Sequence, residues 1–374
     1  MSLNNSHSTL EDLSDDILMD IFDFLYPAMY IYHSFFNLNQ RFNKIISDAR
    51  LLISLDLSQI INPSNFAYHS QIMLPNMSKQ LISLRLSNEY KFYEQIHQFL
   101  LHVRIGHFQV LRQLSLIQIT FDQLRRILAD ILSLNKLIRL DIDMFDGSGV
   151  TPNELNIIAN TLLSKSQSIK FLNLRFNREI FICEYASTSL THLTLDACYS
   201  SDLPQLLSLC SNLSSLILKV EQSRRRSPLS NITNFDSKFS RYPLSSRMCS
   251  YLTYFSLDIN DLTLSEVKYF LSSMPYLSEF RLEGLTYDID FSKSDLWQNI
   301  LENQTKQLKQ FVIFGLRIWL GNNADDDEEN HNLITQITQS FDSNHKYWGK
   351  YWLVDQTHKL RPNHLNLTLH AKSL

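Results

Sequence analysis

Residues 81–86 read Leu81-Ile82-Ser83-Leu84-Arg85-Leu86, and this spacing of three leucines returns along most of the chain. Three further copies keep all three leucines: Leu111/Leu114/Leu116, Leu190/Leu193/Leu195 and Leu213/Leu216/Leu218. Looser copies are Leu52/Leu55/Leu57, Leu137/Leu140/Ile142, Ile169/Leu172/Leu174, Leu252/Phe255/Leu257, Leu277/Phe280/Leu282 and Leu308/Phe311/Ile313. A unit of this kind cannot bury its apolar side alone, so consecutive units must stack on each other.

The spacing between copies indicates what each unit contains. The third apolar positions are 29, 30, 26, 32, 21, 23, 39, 25 and 31 residues apart, in or near the 20–29 residues of leucine-rich repeats. Apolar residues two apart predict a strand with one buried face. Helical periodicity between the strands predicts helices over Tyr90–Ile105, Phe121–Leu134, Asn153–Leu163 and Leu264–Met274, with Thr151-Pro152 as a helix start. The predicted class is α/β: an irregular leucine-rich-repeat solenoid with a curved parallel sheet inside and helices outside.

Composition excludes several functions. The net charge of −4 gives no electrostatic basis for binding nucleic acid or an anionic membrane. Only 7 glycines are present among 374 residues, which leaves little for phosphate-cradling loops. The most apolar stretch, residues 17–36, is interrupted by charged residues and Pro27, so we expect no membrane span. We also expect no cofactor, no metal site, reduced cysteines, and a cytoplasmic or nuclear protein.

The first fifty residues do not follow the repeat. Leu10 to Leu25 predicts an amphipathic helix, with Ser14 as its N-cap and Asp15 and Asp16 at its positive end. A second apolar helical stretch, Tyr30–Ile46, is predicted to break near residues 37–39. So small a unit cannot hide all its apolar side chains, which leaves some to pack on the first repeat or to meet another protein.

Leu10 to about Asp48 resembles an F-box. That family's pattern opens with Leu-x-x-Leu-Pro-x-Glu-Ile-Leu-x-x-Ile-Phe-x-x-Leu and later places Arg before an aromatic residue, followed by Leu or Ile. The matching residues here are Leu10, Leu13, Asp16 in place of Glu, Ile17, Leu18, Ile21, Phe22, Leu25, Arg41, Phe42 and Ile45. Ser14 stands where the family has Pro, and either residue can begin a helix. With repeats directly downstream, the chain resembles F-box proteins with a leucine-rich-repeat substrate domain.

The resemblance implies a substrate-recognition adaptor of a cullin-based ubiquitin ligase, without catalysis of its own. Residues implied to contact the Skp-type linker are Leu10, Leu13, Ser14, Ile17, Leu18, Ile21, Phe22 and Leu25. The alternative is a free-standing repeat scaffold or inhibitor whose N-terminal helices only cover the first repeat. An enzyme on this frame would need a pocket with converging titratable groups, and the sequence contains no such signature.

The outward residues of the strands are the candidate surface for the target protein. They include Arg85, Asp141, Asp143, Arg175, Asp196, Asp258, Arg281 and Glu283. The set contains more acidic than basic residues, which favours a basic partner. Apolar residues such as Ile217 and Phe314 occupy neighbouring outward positions. The alternative is that these are ordinary solvated strand positions. Paired carboxylates such as Asp141 and Asp143 can do acid–base chemistry, but here they belong to a repeated frame, and we predict no catalytic residues.

The pattern divides the chain into three predicted domains. These are a helical F-box-like domain over residues 1–50, a repeat arc over 51–344, and an aromatic, β-prone cap over 345–374. The arc contains a predicted surface insertion at 222–247, with Arg224-Arg225-Arg226, and an acidic loop at 324–330.

Overall fold

The computed structural model describes residues 9–25, 28–60, 62–89, 95–145, 150–165, 167–176, 189–221, 250–304, 307–319, 335, 339 and 364–372. The chain divides into two compact units, Met1–Ser148 and Gly149–Leu374. Both are built from parallel strands and intervening helices, which confirms the α/β class. The predicted insertion at 222–247 and the acidic loop at 324–330 lie outside the described residues, and the predicted domain limits at 50 and 344 stay predictions.

The first unit begins with helices and continues as a parallel sheet. Its helices are α1 (Asp15–Phe24), α2 (Ala28–Phe35), α3 (Gln40–Ile46), α4 (Pro63–Tyr68), α5 (Leu74–Asn76), α6 (Gln95–His102) and α7 (Phe121–Ser133). A π-helical turn, His69–Met73, joins α4 to α5, and 3₁₀ turns lie at Leu10–Asp12 and Ile105–His107. The strands are β1 (Ile53–Asp56), β2 (Leu81–Ser87), β3 (Gln113–Ile119) and β4 (Arg139–Met144).

The second unit repeats the same alternation. Its strands are β5 (Phe171–Arg175), β6 (His192–Tyr199), β7 (Ser215–Glu221), β8 (Tyr254–Asn260), β9 (Glu279–Thr286), β10 (Gln310–Trp319) and β11 (His364–Lys372). Its described helices are α8 (Pro152–Lys165), α9 (Leu203–Leu209), α10 (Leu264–Ser272) and α11 (Ser294–Gln304), with 3₁₀ turns at Ser200–Asp202 and Ile289–Ser292. Consecutive strands from β5 to β10 pair in parallel, whereas β11 pairs antiparallel with β10.

Equivalent apolar residues of successive strands lie opposite each other within each unit. In the first unit Leu84 pairs with Leu55 and Leu114, and Leu114 pairs with Leu140. In the second unit the same row runs Leu172, Leu193, Leu216, Phe255, Phe280 and Phe311. All of these side chains are at most 3% exposed. The alternation within each strand turns this face inward, so a one-residue slip would expose the whole row, and the register is thereby fixed.

The helices begin where the sequence places cap residues. Thr151 and Glu154 form a reciprocal pair at the start of α8: the Glu154 backbone N–H donates to Thr151 Oγ1 at 3.4 Å, and the Thr151 N–H donates to Glu154 Oε2 at 2.9 Å. The same pairing begins α7 with Thr120 and Gln123, and α10 with Thr263 and Glu266. Each pair satisfies two backbone donors that a helix start leaves free.

One predicted repeat anchor is wrong. The spacing predicts Leu52 as the first apolar anchor of its unit, but Leu52 is 44% exposed, while Leu51 and Ile53 on either side are 2% exposed. The reason is a register shift between Ile53 and Ser54 in the β1–β2 pairing, which turns Ile53 rather than Leu52 inward. The other nine first anchors, Leu81, Leu111, Leu137, Ile169, Leu190, Leu213, Leu252, Leu277 and Leu308, are buried.

Candidate protein-interaction surfaces

The helix α1 begins as its sequence predicts. The Ile17 backbone N–H donates to the Ser14 hydroxyl at 3.4 Å, and Asp15 and Asp16 occupy the first turn. Leu18 and Phe22, four residues apart, are 0% and 1% exposed. The Phe22 ring lies 5.0 Å from the Phe35 ring of α2, so this face of α1 supplies the core of the three helices.

Arg41 on α3 holds the start of α1 in place. Its guanidinium donates to Asp15 Oδ1 at 2.7 Å, and to the backbone carbonyls of Glu11 and Leu13. The break predicted near residues 37–39 is present, with Asn37 at φ 64° and Asn39 capping α3. One arginine therefore ties the 3₁₀ turn at Leu10–Asp12 and its following residue to the first residue of α1.

Other apolar side chains of this segment remain outside that core. Ile17 is 48% exposed, Leu25 40% and Leu10 38%, whereas Leu13 and Ile21 are half-buried. The structure therefore divides the predicted linker-binding set: Leu18 and Phe22 face inward, the others lie at the surface, and Ser14 is an exposed cap.

Phe24 is an exposed residue that the sequence reasoning missed. It is 88% exposed, and with Ile17 and Ile21 it follows the i, i+4, i+7 spacing of one helix face. The helical spacing places Phe24 on the same face as Ile17 and Ile21, but the F-box pattern specifies no residue type at the position of Phe24. We call the exposed and half-buried set Leu10, Leu13, Ile17, Ile21, Phe24 and Leu25 the N-terminal apolar face.

The helical segment is tied to the strands that follow it. The buried Gln80 side-chain amide donates to the backbone carbonyls of Ile46 and Asp48, at 2.6 and 2.7 Å. These bonds satisfy the carbonyls where α3 ends, immediately before β1. The N-terminal apolar face is thus presented on an anchored support.

Three of the predicted target-binding residues lie on the outward face of the first unit's sheet. Arg85 is exposed and lies 3.9 Å from Asp56. Asp141 accepts from Arg139 at 2.8 Å, and Asp143 accepts from Gln118 Nε2 at 3.3 Å. Ion pairs with such exposed partners contribute little to stability, so these groups can exchange partners readily.

The other five lie on the outward face of the second unit's sheet. Asp258 of β8 pairs in register with Lys219 of β7 and Glu283 of β9. Arg281 lies 2.7 Å from Glu279 and 5.6 Å from the Tyr254 ring. Arg175 at the end of β5 is exposed, and Asp196 of β6 is near enough to act on the Asp258 carboxyl.

Burial perturbs two carboxyls of this face. Loss of hydration raises the pKa of Asp258; Asp196 raises it further, while Lys219 and Arg317 act in the opposite direction. Loss of hydration also raises the pKa of Glu283, with Asp258 as the next contributor. Gly284 has no side chain, so the backbone of β9 can lie close to Asp258. A Cβ at position 284 would lie 2.7 Å from Asp258 Oδ1, and the φ of Gly284 is +117°.

Apolar side chains lie on the same face. Ile217 of β7 is 39% exposed, and Phe314, which follows the buried Ile313 of β10, is 64% exposed. Single exposed apolar side chains are common at protein surfaces, so these two mark no binding site by themselves. We call Ile217, Lys219, Asp258, Glu283 and Phe314 the β7–β10 face.

Two further features bear on chemistry. Burial raises the pKa of the Cys198 thiol, with Asp202 adding to the effect, so this cysteine is held in its unreactive form. A cleft of about 410 Å³ in the first unit lies between α4 and α6, against Phe66, Gln95 and His102. Among the described residues that line it, His102 is the one that can ionise, so they form no acid–base pair.

Comparisons with protein-family models and with curated proteins find no match for this chain. Among the described residues, no helix combines the length and the hydrophobicity needed to cross a bilayer.

Proposed function

We propose that this protein is a substrate-recognition adaptor of a cullin-based ubiquitin ligase. In this proposal the N-terminal segment is an F-box that docks on a Skp-type linker, and the strands belong to a leucine-rich-repeat solenoid that holds the target. The main supporting observation is the N-terminal apolar face, where Ile17, Phe24 and Leu25 lie exposed beside the buried Leu18 and Phe22. Exposed apolar clusters of this kind mark protein-binding sites.

The residues divide into two roles under this proposal. Leu18 and Phe22 hold α1 against α2 and α3, and Ser14 and Arg41 fix where α1 begins. Leu10, Leu13, Ile17, Ile21, Phe24 and Leu25 contact the linker. These side chains expose apolar surface to water, and docking on the linker would bury that surface, which is favourable.

The mechanism is proximity. The adaptor holds a target lysine near the ubiquitin carrier, which raises its effective concentration, while the transfer chemistry belongs to other subunits. No catalytic residue is required in this chain, and the proposed compartment is the cytoplasm or nucleus. The competing proposal, a free-standing scaffold, is favoured by the burial of Leu18 and Phe22 and by the Gln80 bonds, which tie the helices to the strands.

Capture of a purified Skp-type linker by the full chain tests the proposal. We expect binding by the unchanged protein and loss of binding for Ile17→Asp and Phe24→Asp. The matched control is Ile72→Asp, because Ile72 is 51% exposed in the same unit but belongs to the π-helical turn His69–Met73 and not to the N-terminal apolar face. Absence of capture, or equal capture by all three variants, contradicts the proposal and favours the scaffold.

A further inference from the structure

The cleft between α4 and α6 in the first unit has a volume of about 410 Å³, which lies within the roughly 300–1,000 Å³ of small-ligand pockets. Its apolar lining includes Ile60, Pro63, Phe66 and Ala67. Ile60 and Phe66 are 8% and 5% exposed, so a ligand group that reaches them is withdrawn from water. We call this site the α4–α6 cleft.

Two buried polar side chains line the α4–α6 cleft and are held in place by the protein. The Gln95 amide donates through Nε2 to the Leu57 carbonyl at 2.9 Å and accepts from the Ser87 N–H at 3.3 Å. The Ser70 hydroxyl donates to the Phe66 carbonyl at 2.9 Å. Gln95 is 5% exposed and Ser70 1%. These bonds leave one N–H and one lone pair of the Gln95 amide, and the Ser70 lone pairs, for a ligand.

The exposed polar side chains of the cleft are free to bind a ligand. Gln71 lies on the π-helical turn His69–Met73, and Gln98 and His102 lie on α6. Among the described residues, these three side chains have no hydrogen-bond partner. Single π-helical turns are rare and are frequently found at functional sites. The cleft therefore combines an apolar interior with donors and acceptors on both of its walls.

The lining favours an uncharged ligand. Its described residues include no carboxylate, ammonium or guanidinium group, and a charge brought against Ile60 and Phe66 would lose hydration without an ionic partner. A carboxamide both donates and accepts, which complements the amides of Gln71, Gln95 and Gln98. We propose that the α4–α6 cleft binds an uncharged ligand in which a carboxamide adjoins an aromatic or branched apolar group. A free small molecule and a peptide residue share this chemistry.

Ligand-observed NMR titration of the full-length protein with three probes of similar shape tests this inference. N-acetylphenylalaninamide is neutral, N-acetylphenylalanine carries a carboxylate, and phenylalaninamide carries an ammonium group. We expect the neutral probe to bind at least about tenfold more tightly than either charged probe, because only a charged probe must bring an unpaired charge into the cleft. Equal binding of a charged probe, or no binding of the neutral one, overturns the inference.

Variants place the binding in the cleft. Ala67→Trp should fill the cleft and abolish binding, and Gln71→Ala with Gln98→Ala should weaken it about tenfold, since two hydrogen-bonding groups are removed. Gln113→Ala is the matched control, because Gln113 is an exposed glutamine of β3 outside the lining. Thermal melts establish that each variant is folded, and the double variant decides if Ala67→Trp is not. Undiminished binding by the double variant, or an equal loss in the control, overturns the inference.

A blocked Ser-Ser-Phe-Ser-Ser peptide distinguishes the two sources of the ligand. Binding tighter than that of N-acetylphenylalaninamide supports the inference with a protein segment as the source, because the flanking backbone adds contacts. Equal or weaker binding beside a bound neutral probe supports it with a free small molecule. Linker capture by the N-terminal apolar face is independent of these results, since none of that face's residues lines the cleft.

Discussion

Asp258 of β8 lies directly opposite Glu283 of β9 in the parallel register, so two carboxyls of adjacent strands lie side by side, with Asp258 half-buried and Glu283 exposed. The residue after Glu283 is Gly284, whose backbone approaches both Asp258 and Ile259. Folding removes part of the hydration of both carboxyls, which destabilises their charged forms.

The carboxyl pair should make stability depend on pH. The folded-state pKa of both groups is raised, so ionisation is penalised in the folded protein at neutral pH. This penalty shrinks as the pH falls through the raised pKa values of the folded state. It disappears below the pKa values of the unfolded chain, where both carboxyls are protonated in either state. We expect Asp258→Asn with Glu283→Gln to raise the thermal midpoint at pH 7 but not at acid pH. An equal gain at both pH values would contradict this assignment.

Gly284→Ala should be more damaging than Gly315→Ala. Both glycines have positive φ, +117° and +60°, but a Cβ at 284 meets the Ile259 carbonyl and Asp258, whereas one at 315 meets nothing within 4 Å. Backbone strain alone is about 1–3 kcal/mol, so the clash should bring Gly284→Ala to the upper end or beyond. Urea titration of both variants measures the difference. Equal losses would show that the contact is relieved by small shifts.

Adjacent residues of β7 test the alternation of the ladder. Leu216 is 0% exposed between Leu193 and Phe255, and Ile217 is 39% exposed on the opposite face. We expect Leu216→Ala to lower the free energy of unfolding by about 2–5 kcal/mol. Ile217→Ala should change it by about 0.5 kcal/mol or less. Comparable losses in denaturant melts would mean that both faces are covered.

Arg41→Ala should destabilise the N-terminal helices by about 1–3 kcal/mol, because it removes bonds to Asp15 and to two backbone carbonyls. Arg50→Ala is the matched control, since Arg50 is 66% exposed in its side chain and its ion pairs, with Asp48 at 3.1 Å and with Asp16 of α1 at 3.8 Å, lie at the surface. We expect a loss of at most about 0.5 kcal/mol there. Hydrogen exchange of the α1 amides should increase only in the Arg41 variant.

Phe22 and Phe24 should have opposite roles despite standing two residues apart. Phe22→Ala removes a ring that is 1% exposed and should cost about 3–5 kcal/mol of stability. Phe24→Ala removes a ring that is 88% exposed and should change the free energy of unfolding by about 0.5 kcal/mol or less. Under the ligase proposal the second variant loses linker affinity while remaining folded. A Phe24 variant that binds the linker normally would remove this residue from the docking face.

The positions of the strands were predictable because one local rule specified them. Every second residue of each strand is apolar, and only one register keeps this face of every strand buried, which is why Leu114 opposite Leu140 and Phe255 opposite Phe280 could be expected. The rule failed at Leu52, where three apolar residues stand in a row and periodicity cannot choose among them. There the register shift beside Ile53 decided which side chain points inward.

The candidate surfaces were predictable only in part. The amphipathic α1 and its Ser14 cap followed from spacing and residue type, but the exposure of Phe24 did not, because a family pattern names what is shared and not what is left uncovered. The outward positions of Asp258 and Glu283 followed from the repeat. Their loss of hydration did not, because it depends on Gly284 and on groups from neighbouring strands.

The amino-acid sequence alone therefore determined the alternation of strands and helices, the pairing order within each unit and the helix starts, since these depend on the period of apolar residues and on local capping. The tertiary structure alone decided which of the apolar residues of α1 remain outside, how Arg41 and Gln80 fasten the N-terminal helices, and which carboxyls lose water. Burial and electrostatic environment are sums over atoms from distant parts of the chain, and no local pattern contains them.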